Sequence, residues 1–417
     1  ATAYVRRSRT ATLNGDLNDD YDPPTVTETG VENRTPTQQR GEGLALQSTH
    51  RLSSQQLTVG VSIDRSRSEF EQTEAEGDLD ATRAVIPTDD PEVDALISGK
   101  SRTTSLYVHD LIALQPNLQR TLSGRYNDTR VSTVDDGRIT LGLPTTLDGE
   151  GRYRKFNPAA GLTWQATPTL TLFGSLSQGN RAPSPIELGC SDPENACVLP
   201  NALQSDPPLK QVVTRTAELG LRGKWGGALN WRAGYFSAQN NDDILFVADE
   251  QSGYGYFKNF GRTERKGFEL GLDGRWGALT ASLNFTQLDA TYQSEEEVLG
   301  ESNSANEEGA GLEGAITIMP GQRIPLVPRQ ILKASLGYEF SPQWSVDADW
   351  QAIASSLARG NENGQHEPDG VYYLGQGHSP GYAVMNLGVA YRPNANLKLF
   401  AQVNNLFDRR YSTAAQL

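Results

Sequence analysis

The sequence has no long uninterrupted run of apolar residues. No stretch of its 417 residues approaches the 18 or more apolar positions of a membrane-spanning helix. This absence excludes a helical membrane protein. It does not exclude a membrane β-barrel, whose strands need an apolar residue only at every second position. The first ten residues, ATAYVRRSRT, lack the apolar centre of a secretion signal, so we expect a secreted protein of this sequence to be mature or shortened at its front.

Positive charge is in short supply. Lys and Arg together number 37 against 51 Asp and Glu, which gives a formal net charge of −14. No basic face is therefore expected for the phosphates of a nucleic acid. Acidic residues cluster between the predicted strands, for example at 69–80, 89–94 and 294–298. These clusters either keep the loops soluble or form a rim that steers a ligand or binds divalent cations at a membrane surface.

Cysteine is nearly absent. The two cysteines, Cys190 and Cys197, bracket the turn-rich hexapeptide SDPENA. Because no histidine neighbours them, a zinc site is poorly supported. We predict a disulfide between Cys190 and Cys197 that closes a small loop. Such a bond implies an oxidising compartment, such as the periplasmic side or the cell surface.

Side chains suited to covalent chemistry are not clustered. The four histidines are dispersed, and only His366 and His378 share a predicted loop with carboxylates, Glu367 and Asp369, that could hold a metal. No Ser-His-Asp order or paired acid site stands out. The tripeptide SGK at 98–100 lacks the preceding glycine of a phosphate-binding loop. We therefore predict no enzyme, no metal site and no cofactor.

Apolar residues recur instead at every second position. In LTVGVSID (57–64), leucine, valine and isoleucine fall on one face and polar residues or glycine on the other. The same alternation in 279–285, 344–350 and 382–391 is typical of strands with one apolar face. The pattern predicts an all-β chain of about fifteen strands. The predicted spans are 2–13, 38–49, 54–70, 101–114, 118–132, 153–166, 170–180, 211–225, 228–247, 256–275, 279–292, 329–341, 343–357, 382–393 and 396–411.

The connections between these strands alternate between long and short. The predicted long connections are 14–37, 71–100, 133–152, 181–210, 248–255, 293–328 and 358–381. A soluble sandwich has no reason to place every long loop at one end, whereas a transmembrane antiparallel β-barrel has long extracellular loops and short periplasmic turns. Such strands must close into a barrel because lipid cannot satisfy unpaired amides. No repeat of 40–50 residues supports a propeller. Trp225, Trp276 and Trp344 beside short turns either form an interfacial girdle or pack ordinarily.

Four stretches carry a family resemblance. They are LFGSLSQGNRAPSPIELGC (172–190), DPPLKQVVTRTAELGLRGKW (206–225), YFKNFGRTERKGFELGLDGRW (256–276) and QVNNLFDRRYS (402–412). In this order and at these intervals they resemble the TonB-dependent outer-membrane receptors. The resemblance covers residues from about 150 to 412 and extends more loosely to the first 150.

The resemblance implies a barrel of 22 strands closed by an N-terminal plug that bears a TonB box. With about fifteen strands, residues 1–417 are expected to be part of that barrel domain, with the plug and the final strand absent. The implied location is the outer membrane of a Gram-negative bacterium. The implied partners are outer-membrane lipids and lipopolysaccharide, the TonB energy-transducing protein through the missing plug, and a siderophore or other metal chelate, but no nucleic acid.

The function implied is TonB-dependent uptake of a scarce large solute, with a ferric siderophore as the first expectation. The alternatives are a passive porin-like or adhesion barrel without TonB coupling, and a barrel enzyme of the protease or lipase type. Candidate ligand contacts lie at strand ends and in loops, although Arg181 could equally pair within the wall and loop aromatics often pack only on other loops. They are Arg181, Tyr254, Tyr256, Arg262, Tyr372, Tyr373 and His378.

Overall fold

Fifteen long strands form the framework of the computed structural model. The structure describes residues 1–417 except 19–20, 83, 142–147, 190–196, 199–208, 249–253, 301 and 307–313. The strands are β1 (Thr2–Leu17), β2 (Gly30–Arg51), β3 (Gln55–Leu79), β4 (Glu92–Gln115), β5 (Leu118–Asp135), β6 (Gly149–Thr167), β7 (Leu170–Arg181), β8 (Val212–Trp225), β9 (Leu229–Ala248), β10 (Tyr254–Trp276), β11 (Leu279–Tyr292), β12 (Gln330–Glu339), β13 (Trp344–Ile353), β14 (Tyr382–Asn394) and β15 (Leu397–Val403).

Each long strand pairs with the next one along the chain, and every pairing is antiparallel. This is the up-and-down order of a barrel wall. The fifteen predicted strands are therefore confirmed, and no pairing between β1 and β15 is found in the described part of the chain. Several strands run beyond their predicted ends. β3 has 25 residues, far more than the 9–11 that cross a bilayer, so the sheet extends past a membrane-sized band.

The predicted alternation of connections is present. One end of the sheet, the short-turn end, has tight connections such as 226–228 and 277–278. In these, Gly226, Gly227 and Gly277 adopt positive φ angles of 60°, 72° and 61°, which other residues rarely adopt. The other end, the long-loop end, carries the long connections. The connection between β9 and β10, predicted at 248–255, lies at 249–253 and is the shortest of the long connections.

The long connections contain short elements of their own. Two helices, Asp136–Leu141 and Pro185–Gly189, were not expected from the sequence. Short strands are Val85–Pro87, which pairs with β3, Cys197–Val198, which pairs with β10, and two small hairpins, Glu296–Leu299 with Ala315–Ile318 and Ser356–Leu357 with His378–Ser379. Among the described residues, no helix has the length and apolarity needed to cross a bilayer.

The two faces of the wall differ in chemistry. On one face, large apolar side chains stand open, with Leu106, Leu176 and Leu219 exposed by 65%, 66% and 66%. On the opposite face of the same sheet, Ser62 and Ser105 are buried. We call the first the outer face and the second the inner face. Apolar side chains that face outward are expected where acyl chains are the solvent.

A compact apolar core lies at the long-loop end. Its buried members come from the long-loop ends of β9, β10 and β11 and from the connection between β11 and β12. They are Val247, Phe260, Ala290, Tyr292, Val298, Ile316, Ile318 and Ile324. Phe260 and Tyr292 pack with ring centroids 5.1 Å apart. The long connections are therefore folded onto the wall as a packed cap.

The last strand is shorter than predicted. β15 ends at Val403 rather than near 411, and beyond it Asn405 and Asp408 take positive φ angles of 51° and 47°, which turn the chain away from the extended conformation. The Asn405 side chain accepts a hydrogen bond from the amide of Arg409 at 3.0 Å and thereby closes the turn.

Candidate ligand-binding site

The connection after β7 folds back against the inner face. Arg181 donates through Nη1 to both carboxylate oxygens of Glu187, at 2.7 and 2.6 Å. The Glu187 carboxylate also accepts from the Ser184 amide at 2.8 Å, and the Ser184 hydroxyl accepts from the Glu187 amide at 3.1 Å. This reciprocal pair is a capping box that starts the Pro185–Gly189 helix. The motif Ser-Pro-Ile-Glu is thus a helix start that the sequence interpretation missed.

The helix rests on a glycine of the wall. A Cβ added at Gly99 would lie 2.3 Å from the Cβ of Pro185, so a larger residue there would displace the connection. Because Gly99 lies on the same inner face as Ser105, this contact places the connection after β7 against the inner face of the wall. Arg181 therefore marks the rim of the inner cavity, in an ion pair with its own loop.

Amide side chains line the inner face just below this rim. The Asn180 carbonyl accepts from Asn127 at 3.0 Å and from Asn157 at 2.7 Å, and its amide donates to Gln211 at 3.0 Å. The Gln211 side chain in turn donates to the carbonyl of Arg154 at 3.1 Å. The network joins β5, β6, β7 and the segment before β8.

One lumen cation lies next to this network. Arg125 donates to Asn127 at 2.9 Å and to the Ser62 hydroxyl at 3.1 Å, and its guanidinium stands 5.4 Å from the centre of the Tyr107 ring. It is half-buried, and within the described chain no carboxylate lies in ion-pair distance of it. The inner face therefore carries an uncompensated positive charge, despite the acidic loops.

The connection 354–381 is organised around His366. The Ser304 amide donates to Nδ1 at 3.2 Å, so Nδ1 is unprotonated and Nε2 donates to the Gly375 carbonyl at 3.0 Å. Both ring nitrogens are thus engaged in hydrogen bonds. His366 also packs edge-on against Tyr373, with 5.7 Å between ring centroids. It holds two connections together.

A carboxyl group is buried in the same connection. Glu362 is 2% exposed, and its burial raises the pKa of the carboxyl from 4.5 to about 7. One of its oxygens accepts from the Gly360 amide at 3.1 Å. Burial also lowers the pKa of nearby Arg359, whose guanidinium stacks on Phe246 at 4.7 Å from the ring centre. This loop therefore carries a group that changes charge near neutral pH.

The aromatic residues predicted in this loop are adjacent but differ in exposure. Tyr372 is 52% exposed, whereas Tyr373 is 7% exposed, and their ring centroids are 5.0 Å apart. Asp369 turns the chain here by accepting the amides of 371–373, and these bonds lower the pKa of its carboxyl. His378 is exposed in the small hairpin with Leu357. Of the three ligand contacts predicted in this loop, Tyr372 and His378 face solvent and Tyr373 does not.

The other predicted contacts are spread along the rim. Arg262 is exposed on β10, where its amide donates to the Ser294 hydroxyl at 3.0 Å. The strand backbone includes Tyr254 and Tyr256, but their side chains lie outside the described residues. Cys190 also lies outside them, so the disulfide stays a prediction. The structure joins Tyr372 to Tyr373 and records no contact between them and Arg181 or Arg262 in the part of the chain it describes.

Asn180, Arg125 and Glu362 were not among the residues predicted from the sequence. Asn180 lies inside the recognised Gly-Asn-Arg-Ala-Pro segment, so its position near the rim could have been predicted. Its amide partners on other strands could not. Alternation along β5 places Arg125 on the face opposite the outward apolar residues, so its inward orientation could have been predicted. Nothing in the sequence around Glu362 predicts that a carboxyl would be buried.

Comparison with known proteins agrees with this architecture. A model of the family described as "TonB dependent receptor-like, beta-barrel" matches residues 1–406. The chain belongs to the TonB-dependent receptor family. The family consists of outer-membrane β-barrels of Gram-negative bacteria, and its members that resemble this chain are receptors and transporters.

Individual family members are distant in sequence. The probable TonB-dependent siderophore receptor PiuA of Acinetobacter baumannii is 23% identical over 343 residues, which cover 79% of this chain and 40% of PiuA. The structure of the ferric-catecholate import receptor Fiu of Escherichia coli K12 superposes with a TM-score of 0.66 at 17% identity, covering 98% of this chain and 57% of Fiu. The copper transporter OprC gives a TM-score of 0.65 at 19% identity, with 98% and 57% coverage. The chain thus spans about half the length of these proteins.

Proposed function

We propose that residues 1–417 form part of the barrel domain of an outer-membrane receptor. This receptor takes up a metal chelate of the siderophore type by TonB-dependent transport. The observation that carries the proposal is the family match over residues 1–406, on a wall whose connections are long at one end and short at the other. The long-loop end then faces outside, where a dilute solute must be captured.

The transport cycle requires no covalent chemistry from this chain. The solute binds at the long-loop end, and movement of a plug inside the barrel, driven by the TonB protein, admits it to the periplasm. The partners are therefore the plug and TonB, the metal chelate, and the lipids and lipopolysaccharide of the outer membrane.

The proposed ligand contacts are the rim and loop side chains that were predicted from the sequence. Arg181, Arg262, Tyr372 and His378 are exposed. Tyr373 supports Tyr372 from below, and Tyr254 and Tyr256 belong to the same proposal. The positive charge of Arg125, which has no carboxylate within ion-pair distance among the described residues, suits an anionic chelate. A Cys190–Cys197 disulfide would stiffen the neighbouring loop.

Uptake by the full-length receptor tests the proposal. The gene is expressed in a Gram-negative strain that lacks its own siderophore receptors, and accumulation of radioactive iron is measured with ferric catecholate, hydroxamate and carboxylate chelates, and of copper with the free ion. We expect saturable uptake of at least one chelate that stops when TonB is deleted. Uptake that is not saturable and survives TonB deletion would replace the proposal with a passive barrel.

A further inference from the structure

The outer face of β2–β6 carries an unusual pair of side-chain rows. Residues directly opposite one another in an antiparallel sheet share a face, so the strand register defines rows across the wall. One row is formed by Glu42, Arg65, Arg102, Arg130 and Arg152, and the next one toward the long-loop end by Arg40, Arg67, Lys100, Ser132 and Glu150. We call Arg40, Arg65, Arg67, Lys100, Arg102 and Arg130 the basic patch.

The patch lies directly above the apolar part of the outer face. Two rows below Arg65, the wall presents Leu46, Val61, Leu106, Tyr126 and Phe156, all in register. Leu106 and Phe156 are 65% and 57% exposed. Two rows correspond to about 13 Å along a strand. The cations therefore lie at the edge of the apolar band, on the side of the long loops.

Like charges face one another within the patch. Arg65 lies opposite Arg102, Arg102 opposite Arg130, and Arg67 opposite Lys100. Directly opposed like charges destabilise a sheet. All six cations are exposed, and among the described residues only Arg40 has an ion pair, 3.5 Å from Glu42. A polyanion bound outside the wall would remove this repulsion.

Several other cations of the wall have carboxylate partners. Lys266 lies 3.1 Å from Glu264, and Arg329 lies 3.3 Å from Asp289. Even beside the patch, Arg152 and Arg154 share Asp128, at 2.6 and 3.2 Å. A chain with net charge −14 has carboxylates available, yet among the described residues the six adjoining cations of the patch have only Glu42 within ion-pair distance.

The patch surrounds a concave surface. A cavity of about 630 Å³ is lined by the six cations, two carboxylates and neighbouring serines, which leaves four positive charges in excess. Lower on the same wall, an apolar groove of about 830 Å³ runs over Gly124 and Pro158 between Val108, Phe156 and Leu176. The outer surface thus offers a basic cavity suited to an anionic group and, farther from the long-loop end, a groove suited to apolar chains.

We infer that the basic patch binds the phosphate groups of an anionic lipid in the outer leaflet, with the acyl chains along the apolar groove. Guanidinium groups bind phosphate through paired N–H donors, and the location on the outside of the wall, against the bilayer, favours a lipid over a soluble anion. Lipopolysaccharide has this chemistry. The inference rests on the outer-membrane location proposed above and names the lipid contact of that location.

Lipid binding to the full-length receptor tests the inference. Native mass spectrometry in detergent measures binding of lipid A with two phosphates and of its dephosphorylated form, and inorganic phosphate serves as a competitor. The test variant combines Arg65→Gln, Arg102→Gln and Arg130→Gln, and the matched control combines Lys266→Gln and Arg329→Gln. Circular dichroism checks that each variant is folded. Should the triple variant fail to fold, the single Arg102→Gln variant replaces it.

We expect the triple variant to bind diphosphorylated lipid A at least tenfold more weakly than the control variant, and the dephosphorylated lipid to bind weakly to every variant. Equal binding by the triple variant and the control would overturn the inference. Displacement of the lipid by millimolar inorganic phosphate, or equal binding of the dephosphorylated lipid, would also overturn it. Lipid binding without uptake of any chelate would overturn only the proposed transport function, and uptake without patch-dependent binding only this inference.

Discussion

The outer wall and the cap at the long-loop end use apolar residues in opposite ways. In the wall, Leu106 is 65% exposed and has no protein to cover it, whereas in the cap Phe260 and Ile316 are fully buried. The same hydrophobic effect therefore stabilises the two regions against different solvents. The wall needs acyl chains to cover its side chains, and the cap needs the long connections to fold onto it.

The largest expected effect is a cavity in the cap. Phe260→Ala removes a buried ring from the centre of the core cluster, which costs about 3–5 kcal/mol. The free energy of unfolding is measured by denaturant titration of the receptor in lipid vesicles. The matched wall variant, Leu106→Ala, should cost less because acyl chains fill the space. Equal losses for the two variants would contradict the distinction between the regions.

A charge in the wall gives the next largest effect. Leu106→Arg places a cation within the apolar band, where it costs about 2–4 kcal/mol near the middle of a bilayer. The same titration measures the loss. Arg102→Leu, two rows higher at the edge of the band, is the control and should change the free energy of unfolding by about 1 kcal/mol or less. Similar losses from both substitutions would show that the outer face is not in contact with lipid.

The cap should also respond to pH through Glu362. Its carboxyl has a pKa raised to about 7 by burial, so the folded loop binds a proton that the unfolded loop releases above about 4.5. Loop stability is therefore greatest below about pH 4.5 and falls as pH rises through about 7. We expect amides of 359–366 to lose at least about tenfold in hydrogen-exchange protection between pH 5 and pH 8.

Glu362→Gln should remove this pH dependence, since glutamine does not titrate. Glu367→Gln, an exposed neighbour in the same connection, provides the control and should retain it. The exchange rates are compared after correction for intrinsic chemistry. A pH response that persists unchanged in the Glu362→Gln variant would assign it to another group.

The smallest expected effect concerns the rim. Glu187→Ala removes the capping box of Pro185–Gly189 and the partner of Arg181, and should cost about 1 kcal/mol locally. Hydrogen exchange of 184–189 measures the loss. Glu187→Gln keeps the acceptor for the Ser184 amide and should recover most of the protection. Equal protection in wild type and the alanine variant would show that the helix is held by Pro185 packing alone.

The wall was predictable from the sequence because its physical cause is local. The alternation of Leu57, Val59, Val61 and Ile63 fixes which side chains share a face, and the turn residues fix where strands end. The cap could not be predicted from the sequence, because its contacts join segments that are far apart in the chain. The amide of Ser304 donates a hydrogen bond to His366, 62 positions away, and no periodic pattern in the sequence predicts such a contact.

The basic patch lies between these two cases. Each arginine could be placed on an outward face from its own strand. That Arg65, Arg102 and Arg130 stand in one row depends on the pairing of three strands, which the sequence does not specify. The candidate site is intermediate as well, since Arg181 was named from a motif but its partner Glu187 was not.

The most direct test of the account is the solvent contacted by each side of one strand. Residues 103–109 of β4 are replaced one at a time by spin-labelled cysteine in a receptor that carries Cys190→Ser and Cys197→Ser, in lipid vesicles. Labels at 104, 106 and 108 should collide with oxygen dissolved in the bilayer, and labels at 103, 105, 107 and 109 should not. Equal oxygen contact at successive positions, or water contact on both sides, would contradict a lipid-facing wall.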